Sequence, residues 1–180
     1  MAMERIARDI EQARVKYRPD KINVLFVAEA APDALDRFFY YEDVPKADYL
    51  FLALMKELMP DKCRTYILFG RKPLQKQEML VEFKQRGLYL MDLSPVPARM
   101  SIPESHAVEF VQKIRDMEEG GLLNKETPII FLKKSVYDVL YEDLHNRGYN
   151  VIDARLPFPS CGQQKNFSDG FREVKRMLSV

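Results

Sequence analysis

INVLFVAEAAPDALDRFFYY, residues 22–41, joins an apolar run to an acidic, proline-marked turn and four consecutive aromatics. Ile22, Val24, Leu25, Phe26 and Val27 are nearly continuous, the pattern of a strand covered on both faces, as in a parallel sheet. Glu29 follows at the carboxyl end of that strand, where open α/β sheets hold their ligands. The stretch thus predicts a fold class and the sheet edge on which a site would lie.

Upstream, Met3, Ile6, Ile10, Ala13 and Tyr17 fall on one helical face and predict an amphipathic helix over 3–17, stopped by Pro19 and Asp20. Downstream, Ala47, Leu50, Phe51, Leu54 and Leu58 repeat at helical spacing as far as Pro60. Tyr66, Ile67, Leu68 and Phe69 fit either a short strand or a packed loop. Residues 74–86 read as a helix with Leu80 and Phe83 on one side, Lys76, Glu78, Glu82 and Lys84 elsewhere, and Gly87 as its stop. Residues 88–93 are the second strand, and the prolines of SPVPARMSIPES end it in a shaped loop.

Ser101 and Glu104 have capping-box spacing ahead of a helix carrying Ala107, Phe110, Val111, Ile114 and Met117. A third strand over 128–132 precedes a helix marked by Val136, Leu140 and Leu144, with Tyr137 and Tyr141 beside them. A last strand spans 149–154, and Phe167, Phe171, Val174 and Leu178 mark the closing helix. This alternation predicts an α/β fold: a three-layer α/β/α domain around a mainly parallel sheet of about four strands.

At 180 residues and 47% hydrophobic content the chain suits one domain, 1–180. With 28 basic against 27 acidic side chains, a net charge of +1 supplies no general attraction to polyanions or membranes, so any nucleic-acid contact must come from a local patch. The charged N-terminus does not read as a signal peptide, and no segment approaches the roughly 20 apolar residues of a membrane span. The expectation is a soluble, cytoplasmic protein without membrane contact. Cys63 and Cys161 stand alone, too few for a disulfide framework or a thiolate metal site. Walker, GxGxxG and GxSxG motifs are absent.

The loops after the first, second and last strands should share one sheet edge, bringing Glu29, Asp92 and 156–160 within reach of each other. AEAAPD at 28–33, MDLSPVP at 91–97 and LPFPS at 156–160 then resemble, in order and spacing, the motifs of the uracil-DNA glycosylase superfamily. The resemblance runs from Ile22 to the end. AEAAPD is similar to the superfamily's water-activating loop, GEAPG in several branches. MDLSPVP resembles the strand end that supplies a polar base-reading residue, and LPFPS the HPSP-type loop that closes on DNA.

What the resemblance implies is a uracil-DNA glycosylase-like domain that accepts a flipped base from damaged or single-stranded DNA and cleaves its N-glycosidic bond. No cofactor and no metal are expected, and a monomer is the default. Glu29 would hold or deprotonate the attacking water. Of Phe38, Phe39, Tyr40 and Tyr41, one ring would stack on the base, Phe39 foremost with Tyr40 beside it, while at least two serve the core. Ala30, Ser94, Leu156, Pro157, Phe158, Pro159 and Ser160 would complete the pocket.

Asp92 stands where family members commonly carry Asn; an ionised carboxylate only accepts, which opens the site to substrates other than uracil. Leu156 stands where the motif begins with a histidine, and the two histidines present, His106 and His145, fall on predicted helices. On residues alone, Glu29 also fits a helix N-terminal carboxylate, and Asp92 a structural aspartate. Arg71, Lys72, Gln163 and Lys165, with Gln164, Asn166, Arg172, Lys175 and Arg176, are candidates for phosphate contact or solvated helix ends. The rival readings are a non-catalytic nucleic-acid or nucleotide-binding module of the same fold, and an unrelated small-molecule enzyme.

Overall fold

β1 (Val24–Ala30) is the middle strand of a parallel sheet, with β2 (Leu88–Ser94) on one side and β3 (Ile129–Phe131) on the other. The computed structural model describes residues 2–32, 35–45, 48–94, 104–160 and 162–178. The register pairs Val24 with Leu88, Ala28 with Asp92 and Ala30 with Ser94, so the carboxyl ends of β1 and β2 finish level. Leu25, Phe26 and Val27 are buried on both faces, as their continuous apolar run requires.

The described residues form seven α-helices: α1 (Ala2–Lys16), α2 (Tyr49–Leu58), α3 (Pro60–Leu68), α4 (Pro73–Gln85), α5 (Glu104–Glu119), α6 (Lys134–Asn146) and α7 (Gln164–Leu178). Phe26 packs against Phe83 of α4 and Phe171 of α7, with ring centroids 5.8 and 6.0 Å away. α5 and α6 pack together and against the strands, and Glu29, of opposite parity to Phe26, bonds to Ser135 of α6. Helices therefore cover both faces of the sheet. None of the described helices is long and apolar enough to cross a membrane.

Three expectations change. The fourth strand is reduced to one parallel bridge between Ile129 and Val151, so the sheet has three strands among the described residues. The Ile152 amide reaches the Ile129 carbonyl at 2.9 Å, but the next amide on that side, Ala154, turns back onto the Ile152 carbonyl at 2.9 Å and cannot extend a ladder along the three-residue β3. Tyr66, Ile67 and Leu68 belong to α3, started by Pro60 and anchored by buried Cys63 and Tyr66, one turn apart. Lys76, expected among the polar positions of α4, is fully buried. Ala47, Ser101, Cys161 and the turn residue Asp33 lie outside the described residues.

β2 is an edge strand, and Tyr40 closes part of its edge. The Tyr40 hydroxyl accepts from the Leu90 amide at 2.7 Å and donates to the Leu90 carbonyl at 3.0 Å. One hydroxyl thus satisfies both outward-facing groups of a residue that has no further strand to pair with. Burial pushes the Tyr40 phenol well above its ordinary range, which keeps it in this protonated, two-way role. Tyr40→Phe is expected to cost about 1–3 kcal/mol, the penalty of buried unpaired backbone groups, read as a fall in the urea midpoint at unchanged m-value.

Candidate functional site

Where β1 and β2 end, the chain encloses a cavity of about 250 Å³. β1 contributes Ala30 and the residues just beyond it; β2 contributes Leu90 and Asp92. Phe38 and Phe39, the start of α2 at Asp48, and Phe158 from the final loop complete the lining, with Arg37 and Tyr49 beside them. The volume falls just below the roughly 300–1,000 Å³ of pockets that hold drug-sized molecules, which suits one planar ring system.

Two buried ion pairs supply the cavity's acidic groups. Asp92 Oδ2 accepts from Arg14 of α1 at 2.7 Å, and Arg14 also donates to Glu11 at 2.8 Å. Burial pushes the Asp92 carboxyl up, and the facing guanidinium pulls it back only in part. Asp48 caps α2 by accepting from the Phe51 amide at 3.0 Å, while its other oxygen accepts from Lys76 Nζ at 3.0 Å. Lys76 Nζ also donates to the Phe38 carbonyl at 3.1 Å and lies 4.5 Å from the centre of the Phe51 ring. Burial drives Asp48 up and Lys76 down, each restrained by the other's charge.

Glu29 points elsewhere. Its two carboxylate oxygens accept from Lys133 Nζ and, at 2.8 Å, from Ser135 Oγ at the start of α6. It is half-buried and stands beside the helix N-terminus, a favourable place for a negative charge, while its neighbour Ala30 lines the cavity. Glu29 therefore stands at the carboxyl end of β1, but strand alternation turns it toward the opposite layer.

The remaining expected site residues separate into groups. Phe39, Ala30, Asp92 and Phe158 line the cavity together. Tyr40 does not line it, because its hydroxyl is bound to β2. Leu156 is a core residue: a Cβ added at Gly170 of α7 would come within 2.8 Å of Leu156 Cδ2, so the leucine fills the notch left by that glycine. Ser94 and Pro159 are buried, Pro157 is half-buried and Ser160 is exposed, and none of these four lines the cavity. The Ser160 amide bonds back to the Phe158 carbonyl at 2.8 Å, a local turn that helps set Phe158.

Arg71 and Lys72 are exposed between α3 and α4, and Gln163 and Lys165 are exposed at the start of α7. Gln163 accepts from Asn166 at 2.9 Å. Arg172 and Lys175 turn onto Glu57, and Arg176 onto Glu173, so these three serve the packing and pairing of α7. His145 stacks on Tyr141 along α6, as a helix position should.

Arg14, Asp48, Lys76, Lys133 and Ser135 are the site residues that the sequence did not single out. Two had signals. Asp48 stands three residues before Phe51 at the start of an apolar-periodic run, the position of an N-cap. Lys76, Leu80 and Phe83 are spaced i, i+4, i+7 on one face of α4.

Comparison with family models, with curated proteins and with solved structures gave no match. The likeness to uracil-DNA glycosylases therefore rests on the three short motifs.

Proposed function

We propose that the cavity takes one nucleobase extruded from a DNA strand, and that the protein hydrolyses its N-glycosidic bond with a water held by Glu29, whose carboxylate reaches that water over the end of β1 once it releases Ser135 and Lys133. The supporting observation is the cavity itself, a base-sized, aromatic-lined space at the strand ends with Asp92 and Asp48 as its acidic groups. Stacking on Phe39 or Phe158 and hydrogen bonds to the base edge offset the few kcal/mol that extrusion costs. In the reaction, Glu29 takes a proton from water, the oxygen bonds to the sugar carbon, and the base leaves with the electrons of the broken C–N bond. Leu156 offers the leaving base no hydrogen bond. Asp92, held as an ion pair with Arg14 at 2.7 Å, accepts rather than donates, so stabilisation of the leaving base falls to backbone N–H groups.

A second reading is favoured by one observation: both oxygens of Glu29 are engaged, and Glu29 does not line the cavity. On that reading the protein binds a base or nucleotide without cleaving it. Matched single- and double-stranded oligonucleotides carrying uracil, hypoxanthine or xanthine, followed by alkaline strand scission, separate the two. Scission supports hydrolysis, and saturable binding without scission supports the module.

The same assay addresses specificity. Asp92→Asn is expected to shift the release ratio toward uracil by about tenfold or more, since a hydrogen bond to a charged group is worth about 1.5–3 kcal/mol. An unchanged ratio would show that Asp92 serves only to hold Arg14.

A further inference from the structure

Asp92 lines two hollows. One is the cavity at the ends of β1 and β2; the other is a groove of about 440 Å³ along β2, between α1 and α5. Its volume falls inside the roughly 300–1,000 Å³ of ligand pockets. Tyr89 and Met91, two positions apart on one face of β2, lie along its floor. Glu11 and Arg14 of α1 flank it on one side, and Lys113, Asp116 and Met117, which share a face of α5, on the other. Arg14 joins the two hollows, since it lines the groove and donates to Asp92 at 2.7 Å.

The acids of the groove are engaged, while several of its donors are not. Asp92 and Glu11 accept from Arg14, and Asp116 accepts from Gln112 at 2.7 Å. The Arg14 side chain is only 7% exposed, yet its Nε is a buried donor with no acceptor. Tyr89 is 3% exposed, and its hydroxyl has no hydrogen-bond partner among the described residues. Buried donors in folded proteins nearly always find an acceptor, so two without one beside the same groove point to a ligand that supplies it. Burial pushes the Tyr89 phenol well above its ordinary range, which keeps the hydroxyl a donor. Arg18, just beyond α1, and Lys113 also line the groove and form no ion pair with a described residue.

The charges select the ligand. Three cationic and three acidic side chains surround the groove, a balance that gives a polyanion as much repulsion as attraction. A single carboxylate fits better, because it only accepts and its two oxygens can take several donors at once. Met91 and Met117 offer adaptable apolar surface to whatever carries that carboxylate.

We infer that the groove is a second ligand site, for a small carboxylate with an apolar or aromatic body, and that Arg14 couples it to the cavity. The carboxylate accepts from the Tyr89 hydroxyl and Arg14 Nε, with Arg18 and Lys113 beside its charge, while the body rests on Met91 and Met117. Its charge competes with Asp92 for Arg14, so filling the groove loosens the hold on a side chain that also faces the cavity. The site stands whether or not a base enters that cavity.

The probes are 2-naphthoate and its uncharged counterpart 2-naphthamide, titrated into the full chain and followed by ligand-observed NMR. Naphthoate should bind saturably and the amide at least about tenfold more weakly, since a hydrogen bond to a charged acceptor is about twice as strong as one to a neutral acceptor. Tyr89→Phe keeps the ring, removes no hydrogen bond among the described residues, and should weaken naphthoate by about tenfold. Arg18→Gln with Lys113→Gln, both at exposed positions, should weaken it and flatten its dependence on salt. Asp92→Asn should tighten it, because asparagine still accepts from Arg14 but no longer competes with a charge. Absence of saturable naphthoate binding would overturn the site, as would binding left unchanged by both Tyr89→Phe and the double variant, which would put the carboxylate elsewhere. Unchanged or weaker binding to Asp92→Asn would overturn the coupling.

Discussion

Glu29→Gln should lower base release by about 10²–10⁴-fold, the usual contribution of a positioned general base, while the protein melts close to wild type. Glutamine keeps the shape and the oxygen that accepts from Ser135, but it cannot take a proton from water. The ion pair lost with Lys133 is about a third exposed on both sides, and pairs of that exposure contribute under about 1 kcal/mol. A large loss of rate without a matching loss of stability would therefore report chemistry. Single-turnover scission with enzyme in excess, beside a thermal melt of the same preparation, checks both halves. A variant that releases base at the wild-type rate would exclude Glu29 as the water-holding group.

Lys76→Met should destabilise the fold by about 3–5 kcal/mol at neutral pH, the penalty for leaving one partner of a buried pair uncompensated. The Lys76 side chain has no exposure and Asp48 only 6%, so water cannot replace the lost ammonium. The Phe38 carbonyl loses its donor as well. Without Lys76, only the Phe51 amide opposes the burial that already pushes Asp48 up, and the folded carboxyl binds its proton more tightly than the unfolded one.

A folded pKa raised above the unfolded value favours the fold at low pH and loses that advantage as pH rises through the folded pKa. The deficit of the variant should therefore shrink in acid and be largest near neutrality. Adding Asp48→Asn should restore much of the loss, since asparagine caps a helix about as well as aspartate and carries no charge. Guanidinium midpoints of the single and double variants at pH 4 and 7 give the comparison. Equal deficits at both pH values would mean that Asp48 does not carry the penalty.

The loss should also reach the cavity. Lys76 fixes Asp48 and the backbone at Phe38, two of its parts, so a stability device and a site device share one side chain.

The alternation of strands and helices was legible because period-2 or continuous apolar runs and 3.6-residue spacing are properties of the chain itself. Residues 22–27 and 88–93 read as buried strands, and the strands stand at Val24–Ala30 and Leu88–Ser94. The faces of α4, α6 and α7 were equally plain in Leu80 and Phe83, Val136 and Leu140, and Phe167 and Phe171. The apolar stretch at 66–69 was not, because a short apolar run fits strand, loop or helix, and packing of Cys63 and Tyr66 decided for α3. The fourth strand failed for a related reason: apolar content at 149–154 says nothing about where its amides bond.

Of the site, the sequence by itself determined the edge: an acid at the end of β1, Asp92 on β2 and the proline loop at 156–160 converge where the parallel strands finish. Only tertiary structure decided which face of that edge is hollow. Alternation makes Ala30 and Glu29 point opposite ways, but the cavity lies on the alanine side because Phe38, Phe39 and Asp48 fold over it there, while α6 occupies the other. Lys76 makes the same point. Its helical spacing with Leu80 and Phe83 was visible, yet a lysine inside a core is unfavourable until a carboxylate arrives to meet it. Asp48 arrives from 28 positions away, a pairing that the fold alone creates.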